Sequence, residues 1–377
     1  LRRQRQMCIR DRGKSIIITK FVEAPVVESI PLLSLVLYTG VEYVCLSTIS
    51  VSSSIFMSET NPINEWNLGN SQRRPSQLIS LEVLKSLQKR QDTEGLLFLF
   101  VHLGLLGLTG YVLQLTMETP WLVFGLALHG VVLVHLFSPF HEATHQSAFL
   151  TRWLNQAVAW LTGLVIMIPP LYFKLEHAAH HTYTQHPEKD PESIPQARTF
   201  WGYWYYLTAI PYFKGVLKNL VRHPQGQFSE LEQSFIPKRL REKVQREAQG
   251  MLLFYLLLLG GSLLSGNALL FWYWLFPRIL AEPVMRLIRI SEHGGCPWIA
   301  DLLSNTRTTL TLRPIRWLAW NMPFHGEHHA FPNIPFHALP TLHQHLKSHL
   351  ENVDQGYLFS HRKLIQQLYR QDHSPVI

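Results

Sequence analysis

Residues 96–115 form an apolar run without Asp, Glu, Lys or Arg. At roughly 20 residues it is about one bilayer thickness long as a helix. In lipid a helix pairs its own backbone groups, so the run reads as a membrane span. Met117-Glu118-Thr119-Pro120 then turns the chain, and a second span over about 121–139 runs straight into His141. Residues 154–173 are also apolar, and a longer apolar stretch over 251–265 and 269–290 is broken by Ser265-Gly266-Asn267. The chain carries no internal repeat beyond similar His clusters and no low-complexity tract.

Those clusters fall beyond the ends of the apolar runs. His141 and His145 are spaced i, i+4. His177, His180 and His181 are spaced i, i+3, i+4, as are His325, His328 and His329. On a helix each set shares one face, so its ring nitrogens can converge on one point. Eight of the 20 His lie in these boxes, and His293 stands alone between the second and third. Imidazole suits Fe, Zn, Cu and Ni. Nine imidazoles exceed what one metal needs, and two metals with four or five each account for them. His141-Glu142-Ala143-Thr144-His145 matches the zinc-protease pattern HExxH by letters. The further His in matching clusters make a protease a poor reading.

One metal centre requires all boxes on one side of the membrane. Pro169-Pro170 break the 154–173 segment near its end, so it reads as interfacial or re-entrant. By the same parity 251–290 crosses twice. The expected fold is therefore all-α and integral to the membrane, with four spans (about 96–115, 121–139, 251–265 and 269–290) in two hairpins. The turns at 117–120 and 265–267 carry no Lys or Arg, whereas 214–246 is rich in both. The positive-inside rule then puts both termini and every box in the cytoplasm.

Composition agrees with a lipid environment. The chain is 47% hydrophobic and 16% charged, against the usual charged share of about a quarter. Its formal charge of +8 is gathered beside apolar segments, which fits a membrane surface and not nucleic acid. Cys8, Cys45 and Cys296 are scattered and form neither a disulfide framework nor a thiolate site. Leu1–Arg12 resembles translated adapter sequence, and Met57 is a plausible native start. The expected organisation is a non-native or disordered extension (1–56), a polar segment with an interfacial helix (57–94), the membrane domain (95–345) and a cytoplasmic tail (346–377). Ser76–Arg90 is amphipathic, which fits either a membrane surface or packing on protein.

The stretches HEATHQSAF (141–149), EHAAHHTYTQHPEKDPE (176–192), SEH (291–293), NTRT (305–308) and NMPFHGEHHAFPNIPFHALPTLH (321–343) resemble the membrane fatty acid desaturase family. The resemblance covers roughly residues 95–345, and the box order is highly specific as a set. It implies a stem of four spans under a cytoplasmic helical cap holding two irons, with His141, His145, His177, His180, His181, His293, His325, His328 and His329 as ligands. It also implies O2-dependent conversion of an acyl C–H pair to a double bond. The electrons come from a separate donor, a ferredoxin or a cytochrome b5, for which the basic segment 214–246 is a docking candidate. Asp190 and Asn321 are implied partners of the ligands.

Glu142, Glu176, Glu292 and Glu327 lie next to or one residue from a box His or His293. Each can either accept a ring N–H and orient it or face water and pair with a basic neighbour. Where animal acyl-CoA desaturases have an Asn one turn before the lone His, this chain has Arg289, which weighs against an acyl-CoA substrate. The Gln that opens the third box of front-end desaturases is absent. His223-Pro224-Gln225-Gly226 resembles a cytochrome b5 HPGG but lacks a second haem His at suitable distance. His102, His129 and His135 lie within spans and read as packing residues. His186 lies off the face of box two, and His337, His343, His345 and His349 read as a solvated face. Rival functions are a di-iron hydroxylase or ketolase of a carotenoid, sterol or alkane, and a His-rich membrane metal-binding protein or transporter.

Overall fold

The computed structural model describes residues 74–373. The expectations for residues 1–56, the start at Met57, the first part of the polar segment (57–73), Cys8 and Cys45 lie outside the described residues. What is described is mostly helical.

Helix α1 (Leu81–Leu87) is capped by Ser80, whose hydroxyl accepts from the Val83 N–H. Its Leu84 and Leu87 bury with Phe149 and Leu339, so this helix packs on protein. Helix α2 (Asp92–Thr116) begins with Asp92 and Glu94, acidic side chains that suit a helix N-terminus. Asp92 also accepts from Thr151 N–H and Oγ1 at 2.9 and 2.6 Å, which fixes where the span starts. Phe100, Leu108 and Tyr111 remain exposed along it.

Helix α3 (Leu122–Val134) packs against α2. Gly125 and Gly130 make its close approaches possible. A Cβ at Gly125 would lie 2.1 Å from Thr116 Oγ1, and one at Gly130 would lie 2.1 Å from the Pro277 carbonyl. Helix α4 (Phe137–Thr144) continues from α3 and holds box one.

Helices α5 (Arg152–Ile166) and α6 (Pro170–Tyr183) meet at 94°. Met167 adopts a left-handed conformation (φ 61°) and closes α5, and Pro170 opens α6, where a missing N–H costs nothing. The bend swings box two back toward box one.

Helices α7 (Phe200–Leu207), α8 (Ile210–Arg222) and α9 (Glu230–Phe235) follow. Helix α10 (Lys238–Ser265) starts basic, becomes apolar and ends at Gly266 in the left-handed region (φ 64°). A π-helical turn at Phe271–Leu275 leads into α11 (Phe276–His293), which packs along α3. The remaining helices are α12 (Arg313–Leu318), α13 (His325–Ala330), α14 (Leu339–Leu346) and α15 (Tyr357–His373). Strands β1 (Thr308–Thr309) and β2 (Val353–Asp354) pair in parallel. Leu364 and Leu368 of α15 bury with Tyr203, Tyr206 and Ile290, so this part of the expected tail packs onto the body.

Three helical stretches are long and apolar enough to cross a membrane: Asp92–Thr116, Leu122–Thr144 and Lys238–Ser265. The bent pair α5–α6 would make a fourth if it counts as one span. The expected span at 269–290 is helical but is not in this apolar class among the described residues. Its Arg278, Glu282, Arg286 and Arg289 are buried inside the protein, where they pair with one another and with neighbouring helices.

Candidate metal centre

Four short elements converge. Helix α4 presents His141 and His145, α6 presents His177, His180 and His181, the end of α11 presents His293, and α13 presents His325, His328 and His329. Their ring nitrogens form one group of five (His141, His145, His177, His181, His328) and one of four (His180, His293, His325, His329), each within 4.8 Å throughout. All nine expected residues are in these two groups.

The contacts within the groups are unusual for a protein interior. His141 Nε2 lies 2.7 Å from His177 Nε2, and His181 Nε2 lies 3.0 Å from the same atom. His328 Nε2 is 3.1 Å from His181 Nε2. His325 Nε2 is 3.2 Å from His293 Nε2 and 3.1 Å from His329 Nε2. A neutral imidazole has one N–H and one lone pair, so a ring of facing Nε2 atoms cannot all be satisfied by hydrogen bonding. His145 Nε2 and His180 Nε2 are buried with no hydrogen-bond partner at all. Metal–imidazole bonds of about 2.1 Å at right angles separate neighbouring nitrogens by about 3 Å, the spacing seen here. The donor set fits two nitrogen-ligated transition-metal ions.

In four of the nine rings the outer nitrogen has a hydrogen-bond partner that sets the tautomer, whereas Nδ1 of His141, His181, His325 and His328 is buried without one. His180 Nδ1–H donates to Asp190 Oδ1 at 2.8 Å and His177 Nδ1–H to Glu192 Oε1 at 2.5 Å. His329 Nδ1–H donates to Thr184 Oγ1 at 3.1 Å, because that hydroxyl gives its own proton to the His180 carbonyl. His293 Nδ1–H donates to the Asn305 carbonyl at 3.2 Å. In all four, Nε2 is left with its lone pair toward the cluster, which is the form a metal needs. Burial pushes His293, His325, His328 and His329 well below the ordinary imidazole pKa, and pushes His145 down to about 3. These rings are neutral at physiological pH.

The carboxylates divide. Asp190 orients a ring directly. Glu142 is buried with Oε1 3.7 Å from His141 Nδ1 and 4.0 Å from His328 Nδ1, and accepts from Ser147 Oγ at 2.9 Å. Glu292 accepts from Arg289 Nη1 at 2.7 Å and lies 3.8 Å from His325 Nε2. Glu327 accepts from Thr308 Oγ1 at 2.6 Å and from His343 Nδ1–H. Glu176 accepts from the Tyr172 hydroxyl at 2.9 Å and not from a box imidazole. Asn321 donates to the Phe336 carbonyl and sits in the left-handed region (φ 57°), shaping the turn before box three.

Glu192, Thr184 and His343 are additions to the sequence reading. The only sequence signal for Glu192 is the acidic Asp190-Pro191-Glu192 that ends the box-two stretch. His343 is a correction: it is buried and hydrogen-bonded, not part of a solvated face. His337 and His349 are half-buried and only His345 is exposed. His102, His129 and His135 stay outside both groups. His102 bonds the Val132 carbonyl, His129 bonds Thr109 and the Tyr273 carbonyl, and His135 bonds the Val131 carbonyl. His186 accepts from the N–H groups of Glu188 and Lys189, and His223 pairs with Glu232 at 2.8 Å.

A cavity of about 380 Å³ lies one side-chain layer away from the five-His group, and none of the nine cluster imidazoles lines it. Phe137 and Phe173 line it and pack on His141 and His177, with ring centroids 5.9 and 5.0 Å apart. Glu192 and Arg289 lie on the same wall.

The family profile described as fatty acid desaturase matches residues 118–361. The sphingolipid delta(4)-desaturase of Homo sapiens is 26% identical over 295 residues, covering 74% of this chain and 82% of its own length. The sn-1 acyl-lipid omega-3 desaturase (ferredoxin) of a Nostoc strain is 24% identical over 171 residues, covering 42% of this chain and 47% of its own. The delta(12) fatty acid desaturase of Mortierella alpina is 29% identical over 72 residues, 19% of this chain and 18% of its own.

Proposed function

The chain belongs to the fatty acid desaturase family, and we propose that it is a membrane di-iron enzyme that uses O2 to place a C=C bond in a lipid chain. The observation that carries this reading is the division of nine buried imidazoles into groups of five and four, with the rings of His177, His180, His293 and His329 oriented Nε2-inward by their neighbours. The five would hold one iron and the four the other. Bound iron supplies the oxidising chemistry for an unactivated C–H pair: a –CH2–CH2– unit and O2, with two electrons and two protons from outside, give –CH=CH– and two waters.

The protein's own contribution is placement. Asp190, Glu192, Thr184 and the Asn305 carbonyl fix the rings so that no reorientation accompanies metal binding. Phe137 and Phe173 form the apolar layer between the cavity and the imidazoles, which excludes water.

The topology that suits this function has α2, α3–α4, α10 and α11 crossing as two hairpins and α5–α6 re-entering, with the boxes and both termini in the cytoplasm. The buried charges of α11 are shielded from lipid by protein in this arrangement. Residues 95–345 are the functional unit, and a chain beginning at Met57 keeps activity. The electron donor is a separate protein, and the Nostoc relative's name specifies a ferredoxin. The test is iron content of the purified protein together with lipid analysis of membranes with and without its expression. Two irons per chain and a new unsaturated product are expected. Stoichiometric iron with a hydroxylated product would overturn the desaturase assignment, and absence of iron would overturn the metal centre.

A further inference from the structure

We infer that Glu247 is a positioning residue for both halves of the metal centre: from α10 it holds the start of α6, the helix that carries box two. The inference rests on the metal-centre reading. Box two supplies His177 and His181 to the five-His group and His180 to the group of four, so whatever fixes α6 acts on both.

The bend between α5 and α6 interrupts backbone pairing on both of its sides. The last four carbonyls of the first helix and the first N–H groups of the second have no partner inside their own helix. Here each finds one. The Gly163 carbonyl accepts from the N–H groups of Met167 and Ile168. The Leu164 carbonyl accepts from the Tyr255 hydroxyl at 2.9 Å, the Val165 carbonyl from Trp274 Nε1–H at 2.7 Å, and the Ile166 carbonyl from Arg278 Nη2 at 2.6 Å. Pro169 and Pro170 have no N–H to satisfy. The Leu171 N–H lies 2.9 and 3.0 Å from the two oxygens of Glu247, and the Tyr172 N–H donates to the second of them at 3.2 Å. The Phe173 N–H returns to the Pro169 carbonyl at 3.0 Å.

The bend is thus clamped by side chains of α10, α11 and the π-helical turn that leads into α11. Glu247 acts on the side that carries the box-two imidazoles. A carboxylate is the favoured partner of a helix N-terminus, and Glu247 is buried, in apolar surroundings where no water would replace it. From Leu171 onward α6 is a continuous helix. His177 and His180 lie about 9 and 14 Å further along its axis at 1.5 Å per residue. Glu192 and Asp190 hold those two rings at the far end. Glu247 holds the near end, and so sets the depth and tilt at which three imidazoles meet those of α4 and α13.

The experiment is chelator competition on the folded, metal-loaded protein in detergent, with the visible spectrum of the cobalt-loaded form as a second readout. Glu247→Ala should weaken metal binding at both groups in parallel, about tenfold each, and change the cobalt spectrum. Loss of a single ligand such as His180 would weaken one group. Glu247→Gln keeps one acceptor oxygen and should recover most of the affinity, to within about threefold of wild type, together with the spectrum. Glu242→Ala, at an exposed position of the same helix, should change neither readout. Wild-type affinity and spectrum in folded Glu247→Ala, even with a lower unfolding midpoint, would make Glu247 a packing residue and overturn the inference, as would weakening of one group only. If Glu247→Ala yields no folded protein, Glu247→Gln decides: a parallel loss of about threefold is expected, and wild-type affinity overturns the inference. A wild-type protein that binds no metal overturns the metal-centre reading and the inference with it.

Discussion

Arg289 and Glu192 are joined by a hydrogen-bonded ion pair, and the second oxygen of Glu192 takes the Nδ1–H of His177 at 2.5 Å. A residue that cannot bind a metal is thereby coupled to one that can. Its position one turn before His293, where the acyl-CoA branch has an Asn, is filled by a group that anchors box two through a carboxylate. The two sides of the cluster, α6 and α11, are held together by this contact.

Glu192→Gln should therefore loosen the five-His group. The amide accepts from His177 less strongly and no longer balances Arg289. Losses of about 10–100-fold in metal affinity follow removal of such outer partners. Chelator competition on the purified protein measures this, and affinity equal to wild type would show that the contact does not orient His177.

How much of this was visible in the sequence depends on range. The i, i+3, i+4 spacing of His177, His180 and His181 is a local property of a helix, so their shared face was legible, as was the break at Pro169-Pro170. Glu192 lies 15 residues from His177, and His343 lies 16 residues from Glu327. No helical periodicity joins such pairs. They meet because the loop after α6 folds back on it and α14 packs on α13. Averaged hydropathy over 269–290 likewise hid Arg278, Glu282, Arg286 and Arg289, whose charges are tolerable because they neutralise one another inside the protein.

His343→Leu should destabilise the packing of α14 on α13 without touching a ring of the cluster. It removes the Nδ1–H from buried Glu327 and leaves that carboxylate with Thr308 alone. The loss of a partner for a buried acceptor costs about 1–3 kcal/mol. Thermal unfolding in detergent reads the effect, and His345→Leu, at an exposed position on the same helix, should leave the midpoint unchanged.

Gly130→Ala should separate α3 from α11. The added Cβ would meet the Pro277 carbonyl at 2.1 Å and Ala281 Cβ at 2.8 Å, neither of which can swing aside. Overpacking of this kind costs about 1–3 kcal/mol. Gly104→Ala, where nothing lies within 4 Å of the new atom, should be neutral or slightly stabilising because Ala is the better helix former. Equal unfolding midpoints for the two variants would contradict the close packing of α3 on α11.

His180 carries the sharpest test of the metal centre. Its Nδ1–H is committed to Asp190, its Nε2 is buried without a hydrogen-bond partner, and it belongs to the group of four with His293, His325 and His329. A packing histidine such as His129 has protein partners on both nitrogens, whereas His180 has one only. His180→Gln keeps a polar side chain of similar length, and Asp190 retains a donor, but the lone pair aimed at the cluster is lost. We expect iron to fall from two to about one per chain and product formation to fall at least about 100-fold, with expression and membrane insertion unchanged. His345→Gln, on an exposed turn of α14, should change neither quantity. Two irons and near-normal turnover in the His180 variant would mean that the group of four is a structural cluster of imidazoles and not a metal site.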